Sequence, residues 1–333
     1  MFLKELTQLS GVSGNEYEVR NFIKNKLDEI NCEYYIDKIG NLIAHNKGRK
    51  NKTIMISAHM DEVGLIVSNI DKDGFIKFQT VGGIDPRVLN SKIVEIGDKK
   101  IPGVIGSKAV HLMTKEERGK TIPIDKLYID IGSESKSETE KLVNIGDYVS
   151  FKSDYVEFGD NLIKAKALDD RAGCNAILEL LSMKLNIDFY GVFTVMEEVG
   201  CRGAYTAAYA LEPDLGIIIE GTICADMPEI EDSSKSTTIG KGAALSIMDK
   251  STVYDIDFVR YVAKLAEYNN ISYQYRKSTS GGNDAGAIHK TKNGAKTVAI
   301  SVPCRYIHSH VNVASKEDYK SVIELTKAVL LDQ

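Results

Sequence analysis

The sequence predicts an α/β fold, a doubly wound mixed sheet with helices on both faces that carries an inserted all-β domain. Three observations lead there. Short apolar runs at residues 53–58, 192–196, 215–219 and 296–302 read as strands buried on both faces. Amphipathic helical stripes alternate with them, as in a sheet with many parallel pairs. Between the first of these strands and the rest, residues 68–161 switch to β-type alternation punctuated by Gly and Asp turns, with no long amphipathic helix. We therefore expect a discontinuous α/β domain of residues 1–67 and 162–333, interrupted by a β-barrel-like insert of residues 68–161. A chain of 333 residues is long enough for two cores.

Taken in order, the chain opens with two helical pieces broken at Ser10-Gly11-Val12-Ser13-Gly14. The second carries Val19, Phe22, Ile23, Leu27 and Ile30 as one buried stripe. Short strands at 33–37 and 41–45 precede the strand 53–58, which ends in His59-Met60-Asp61. Inside the insert, strands are expected at 74–80, 92–96, 126–131 and 148–152. The Lys/Glu-rich stretch 114–120 reads as a solvated loop, and His111 as structural or exposed. A strand at 162–167 runs into Leu168-Asp169-Asp170-Arg171-Ala172-Gly173 and a helix whose buried face is Ala176, Ile177, Leu180 and Leu181. The strand 192–196 ends in Glu197-Glu198-Val199-Gly200, and 215–219 ends in Glu220. A strand at 244–248, a helix at 255–269, a glycine-rich turn at 280–286 and the strand 296–302 follow. The closing helix starts after Ser315 as N-cap, with Asp318 as a shorter capping-box partner.

Composition excludes several function classes. A net charge of -5 and a pI near 5.8 leave no basic footprint for nucleic acid. No apolar stretch is long enough to cross a bilayer, and the first residues read as a helix rather than a signal peptide, so the cytoplasm is the expected compartment. The five cysteines (Cys32, Cys174, Cys201, Cys224 and Cys304) are scattered and form no Cys-x-x-Cys pair. They read as reduced core residues, not as a zinc–thiolate site.

The chemistry lies at the strand ends. In an open α/β sheet, ligands bind beyond the carboxyl ends of the strands. Those ends carry His59 with Asp61, Asp169 with Asp170, Glu197 with Glu198, and Glu220, with His308 just after the last strand. Each has a bland explanation taken alone: a satisfied core histidine, an exposed Glu-Glu turn, an N-capping aspartate. A single Asp would cap that helix, so the doubled acid leaves one residue to explain. Together, two imidazoles, two terminal carboxylates and one shared carboxylate suit a pair of divalent ions, and an O/N donor set without thiolate suits Zn²⁺, Co²⁺ or Mn²⁺.

Ala58-His59-Met60-Asp61-Glu62-Val63-Gly64, Ala167-Leu168-Asp169-Asp170-Arg171-Ala172-Gly173, Glu197-Glu198-Val199-Gly200-Cys201-Arg202-Gly203-Ala204 and Arg305-Tyr306-Ile307-His308-Ser309 occur in order across nearly the whole chain. This series resembles the tetrahedral (TET) aminopeptidase, or glutamyl aminopeptidase, family of two-metal peptidases, whose members also carry cellulase M and endoglucanase labels. The resemblance implies a zinc-exopeptidase-like fold and cleavage of N-terminal residues from peptides. It implies His59, Asp169, Glu198, Glu220 and His308 as ligands of two divalent ions per subunit, with Asp169 bridging, Glu197 as general base and Asp61 orienting His59. Asp170, Arg171, Gly282 and Asp284 are expected behind the ligands or against substrate. The insert would serve as lid and oligomerisation domain, with dimers assembling into a hollow dodecamer. At Glu220 many members carry the shorter Asp.

Three other readings compete. A related two-metal carboxypeptidase or deacylase would, as we read that relative, place its extra domain after the glutamate ligand, whereas the insert here lies between His59 and Asp169. A glycosidase needs two carboxyls facing each other across a sugar, not an acid cluster crossed with histidines. A catalytically silent binding protein on the same fold has no reason to keep every ligand together with Glu197. For the first residue of the substrate, Arg276 or Lys277 would favour an acidic side chain, against the simpler reading of both as solvated surface charges.

Overall fold

The computed structural model describes residues 2–333. An eleven-stranded sheet forms the larger part. Its middle is four parallel neighbours, Phe189–Thr194, Ile54–His59, Leu215–Ile223 and Lys296–Arg305 in that spatial order. Antiparallel strands flank them: Leu42–Asn46 and Glu33–Ile36 on one side, then Asn312–Ser315, Leu162–Ala165 and Val156–Phe158 on the other. Ala243–Ser246 adds to Lys296–Arg305 and pairs in turn with Tyr273–Arg276. All six residues of Ile54–His59 are buried, as continuous apolar character predicts for a central strand.

Helices cover both faces. On the strand Leu215–Ile223, a Cβ at Gly216 would meet Ile288, and one at Gly221 would meet Asp169. These positions are five residues apart and therefore point to opposite faces. The short helix Ala285–Ile288 thus lies on one face with Arg202–Leu211 beside it, and Leu168–Ser182 lies on the other with Lys316–Leu331. Leu168–Ser182 contributes Ala172, Ala176, Ile177, Leu180 and Leu181 to the common core. Truncating one such Leu to Ala costs about 2–5 kcal/mol.

The second body is a closed six-stranded barrel, ordered Gly64–Ile70, Ile76–Val81, Tyr128–Asp130, Ile101–Gly106, Ile93–Ile96 and Tyr148–Phe151. It has its own core, including Leu65, Phe78, Val94, Ile129 and Phe151. The barrel strands thus run from Gly64 to Phe151, while Val156–Phe158 already pairs with the large sheet. Among the described residues, no helix is long and apolar enough to cross a membrane.

Several local expectations need correction. Residues 114–120 are not simply a loop, because Lys115–Arg118 is a short helix with a full Thr114/Glu117 capping box. Ser315 caps the last helix as expected, but Asp318 does not return the bond. Its carboxylate instead accepts from the Gly240 and Gly242 amides, 2.7 Å each. The strand expected to end at Glu220 continues to Ile223, and the one expected to reach residue 196 stops at Thr194.

Candidate functional site

The four parallel strands point their carboxyl ends at one cavity of about 1070 Å³, lined by Asp169, Glu197, Glu198, Glu220 and His308 among others. His59, the last residue of its strand, is fully buried behind it. Its Nδ1 lies 3.0 Å from the Asp61 carbonyl oxygen. A carbonyl only accepts, so Nδ1 carries a proton and Nε2 is the ring nitrogen turned toward the acids. That Nε2 faces Glu220 Oε1 at 3.1 Å and Asp169 Oδ1 at 3.3 Å. His308 approaches from the other end of the chain, on a turn where its own backbone is left-handed (φ 58). Its Nε2 lies 3.3 Å from Glu198 Oε2 and 3.8 Å from Asp169 Oδ2. Asp169 therefore sits between the two imidazoles, one oxygen toward each.

Local sequence makes this approach possible. Asp169 and Asp170 share a cis peptide bond at the start of their helix. Asp170 does the capping: its Oδ1 accepts from Gly173 N at 2.9 Å and its Oδ2 from His59 N at 3.2 Å. Asp169 is left free for the cavity. Gly221 N donates to Asp169 Oδ1 at 3.2 Å, and a Cβ at Gly221 would sit only 2.7 Å from that of Asp169. No other residue type fits there.

The remaining expected residues fall in distinct places. Glu197 reaches the cavity, and Cys201 Sγ donates to its Oε1 at 3.3 Å. Asp61 does not use its carboxylate chiefly on His59, which lies 3.5 Å away. That carboxylate accepts instead from Glu197 N (3.0 Å), Glu198 N (3.1 Å) and Ser13 Oγ (2.6 Å). Gly282 lines the cavity. Asp284 is buried near Glu197 and Cys201, its Oδ2 accepting from Thr194 Oγ1 at 2.7 Å. Arg171 meets no ligand space. It is fully buried and donates to the carbonyls of Met60 and Leu6. Of the two basic residues, Arg276 lines the cavity, buried and with its Nε lacking a partner among the described residues, while Lys277 reaches the Asp232 carbonyl instead. Sequence reasoning missed Ser13 and Glu16, which carry no motif of their own, and read Cys201 only as a core cysteine, not as a partner of Glu197.

Electrostatics bears on whether cations fit. Burial pushes the Glu198 carboxyl up to about 7, and burial also raises Glu197, Glu220 and Asp170 above the usual carboxylate range. Asp169 is the exception. Burial works against its charge, yet the His59 imidazole holds it down to about 2. His59 is raised despite burial, chiefly by Glu220 and Asp169. One imidazole cannot neutralise so many buried acids. The ligand atoms of His59, Asp169 and Glu198 lie within 4.8 Å of one another, as do those of His59, Asp170 and Glu220. Hard oxygens with imidazole nitrogens, buried and short of positive charge, fit divalent cations.

Comparison with known proteins follows the same line. The family profile described as M42 glutamyl aminopeptidase matches residues 40–325. A lysyl aminopeptidase of Pyrococcus furiosus is 32% identical over 337 residues, covering 98% of this chain and 95% of that protein. Aminopeptidase APDkam598 from the archaeon Desulfurococcus kamchatkensis has a similar structure, with a TM-score of 0.94 at 35% identity over 100% of this chain and 94% of that one. The Pyrococcus horikoshii TET1 peptidase, which can assemble into a tetrahedron or a large octahedral shell, gives a TM-score of 0.88 at 35% identity over 98% of each chain.

Proposed function

This chain belongs to the M42 glutamyl aminopeptidase family, and from that premise we propose that it hydrolyses the first peptide bond of peptides with two divalent ions and Glu197 as general base. The observation that carries the reading is the meeting of His59, Asp169, Glu198, Glu220 and His308, drawn from distant parts of the chain, at and just behind the wall of one cavity that Glu197 also enters. His59 and Glu220 would hold one ion, Glu198 and His308 the other, and Asp169 both. Zn²⁺ or Co²⁺ suits this donor set, and Mn²⁺ is tolerated by it. When bound, such ions supply Lewis acidity toward the scissile carbonyl and the attacking water, and an anchor for the free α-amine.

The chain's own residues do the rest. Glu197, whose carboxyl burial raises above the usual carboxylate range, would take a proton from the attacking water in its ionised form and pass it to the departing amine. Asp61 fixes the backbone on which both glutamates ride. The Asp61 carbonyl holds the His59 ring in the tautomer that leaves Nε2 available. Arg276, with Lys250 also on the cavity wall, favours an acidic first residue. The barrel residues Gly83, Asp85, Arg87, Val88 and Lys92 form one wall of the cavity, which supports a lid role for the insert. The likeness to the TET1 peptidase supports a large symmetric assembly, for which we propose dimers joined into a dodecamer, to be measured by light scattering.

The test is Glu197→Gln. It should retain its metal content and lose about 10²- to 10⁴-fold in turnover. Near-normal turnover would remove Glu197 from the role of base. An N-acetylated peptide should resist cleavage, and ready hydrolysis of it would favour a deacylase or carboxypeptidase instead.

A further inference from the structure

The Ser10–Gly14 break between the first two helices has more to do than end a helix. Its backbone runs beside the segment that follows His59: Glu62 N donates to Gly11 O at 2.9 Å, Ser13 N donates to Glu62 O at 3.3 Å, and Val12 and Glu62 form an isolated parallel bridge. From this position two side chains reach the turn that bears the paired glutamates. Ser13 Oγ donates to Asp61 Oδ2 at 2.6 Å, and Asp61 accepts from Glu197 N and Glu198 N. Glu16 Oε1 accepts from Met196 N at 3.1 Å and from Gly14 N at 2.7 Å. Three successive amides, of residues 196, 197 and 198, are thus held by acids that this loop secures. Ser13 and Glu16 are each 4% exposed, and neither lines the cavity.

The turn needs such fixing. Met196 sits at φ 54, a left-handed conformation that an unbranched L side chain keeps only when its surroundings over-determine it. The strand ends at Thr194, so the sheet's ladder no longer holds residues 196–198. Both carboxylates ride on this stretch, whose carbonyls bond only within the turn, to Gly200, Cys201 and Arg202 N, and a shift of about 1 Å at a reacting group costs about a hundredfold in rate.

We propose that Ser13 and Glu16 are positioning residues of the peptidase reaction, acting through Asp61 and the residue 196–198 amides to set where the Glu197 and Glu198 carboxylates stand. This rests on the role given to Glu197 above.

The experiment uses the full-length, metal-loaded protein and compares Ser13→Ala, Glu16→Met and Glu16→Gln with wild type. Turnover of aminoacyl-p-nitroanilides is measured together with metal content and thermal melting. Ser13→Ala, lacking one bond, and Glu16→Met, lacking two, should each lose about 10- to 100-fold in kcat with KM within about threefold. Both should melt cooperatively and bind metal more weakly, because Glu198 shifts along with Glu197. Glu16→Gln keeps an amide oxygen for Met196 N–H and should recover most of the rate, which a role in charge would not give, while a role in bulk packing would leave Glu16→Met fast as well. The proposal is overturned if Ser13→Ala and Glu16→Met keep kcat within twofold. It is equally overturned if their losses match only the unfolded fraction, or if Glu16→Gln is as slow as Glu16→Met. If one variant does not fold, the other still decides, because they reach the turn by separate bonds. Normal turnover in Glu197→Gln would sink the general-base reading instead, so the two failures are told apart.

Discussion

Two buried clusters of charge lie side by side in this protein, and they differ in one respect. In the first, Glu62 receives Lys166 Nζ at 2.6 and 2.9 Å, the Arg171 guanidinium at 3.4 Å and Gly11 N at 3.1 Å. Lys166 and Arg171 then spend their other protons on the Leu9, Leu6 and Met60 carbonyls. One carboxylate there meets two cations, whose remaining donors end on carbonyls. In the second, Asp169, Glu198 and Glu220 surround two imidazoles with no Lys or Arg among the ligating groups, and burial holds two of those three acids above their usual range. A complete network is architecture, whereas one that lacks positive charge is a receptacle for it. The two interleave along the chain, with Asp61 beside Glu62 and Asp169 two residues before Arg171.

Removing the metal should give the largest contrast. Chelation should abolish peptidase activity, and returning Zn²⁺ or Co²⁺ at about 100 times its dissociation constant should raise stability by about 2.7 kcal/mol, read as a rise in Tm. Activity that survives exhaustive chelation would erase the distinction between the clusters. Next, Lys166→Met should break the complete network and cost about 3–5 kcal/mol of stability in denaturant titration, because Glu62 stays buried with less compensation. Metal content per folded chain should not change, and a loss of metal there would mean that the clusters are one unit. Smaller still, Arg276→Met should cut kcat/KM for a glutamyl substrate about 10- to 100-fold relative to a leucyl one. An unchanged ratio across an aminoacyl panel would leave Arg276 without a part in selection. Smallest, Cys201→Ala removes the thiol donor to Glu197 Oε1 and should slow turnover by less than about tenfold, since a neutral hydrogen bond is worth about 0.5–1.5 kcal/mol.

Much of the centre was legible because the fold advertises it. Buried strands that finish in acids or histidine announce their ends, so His59, Asp169, Glu198, Glu220 and, just after the last strand, His308 could be found one strand at a time, and the family resemblance gave each an expected role. What escaped depends on pairing that no local pattern encodes. Tyr273–Arg276 and Asn312–Ser315 are four-residue strands stabilised by distant partners. Glu16 stands just before the second helix and reads as an ordinary acid of a helix start, yet its carboxylate serves Met196, 180 residues away. The short helix at Lys115–Arg118 is a different case. Its Thr114-x-x-Glu117 signature was present in the sequence, and the charge of the stretch hid it. For Asp61, the expected carboxylate–imidazole pairing gave way because the two glutamate amides offered that carboxylate better-aligned donors.

The sequence distance between ligands also governs when the enzyme becomes dangerous. His59 and Asp169 are 110 residues apart, and the barrel is threaded between them. The second imidazole arrives only at residue 308, after every strand of the parallel centre has been made. A chain halted anywhere earlier in synthesis lacks one of the five proposed ligands.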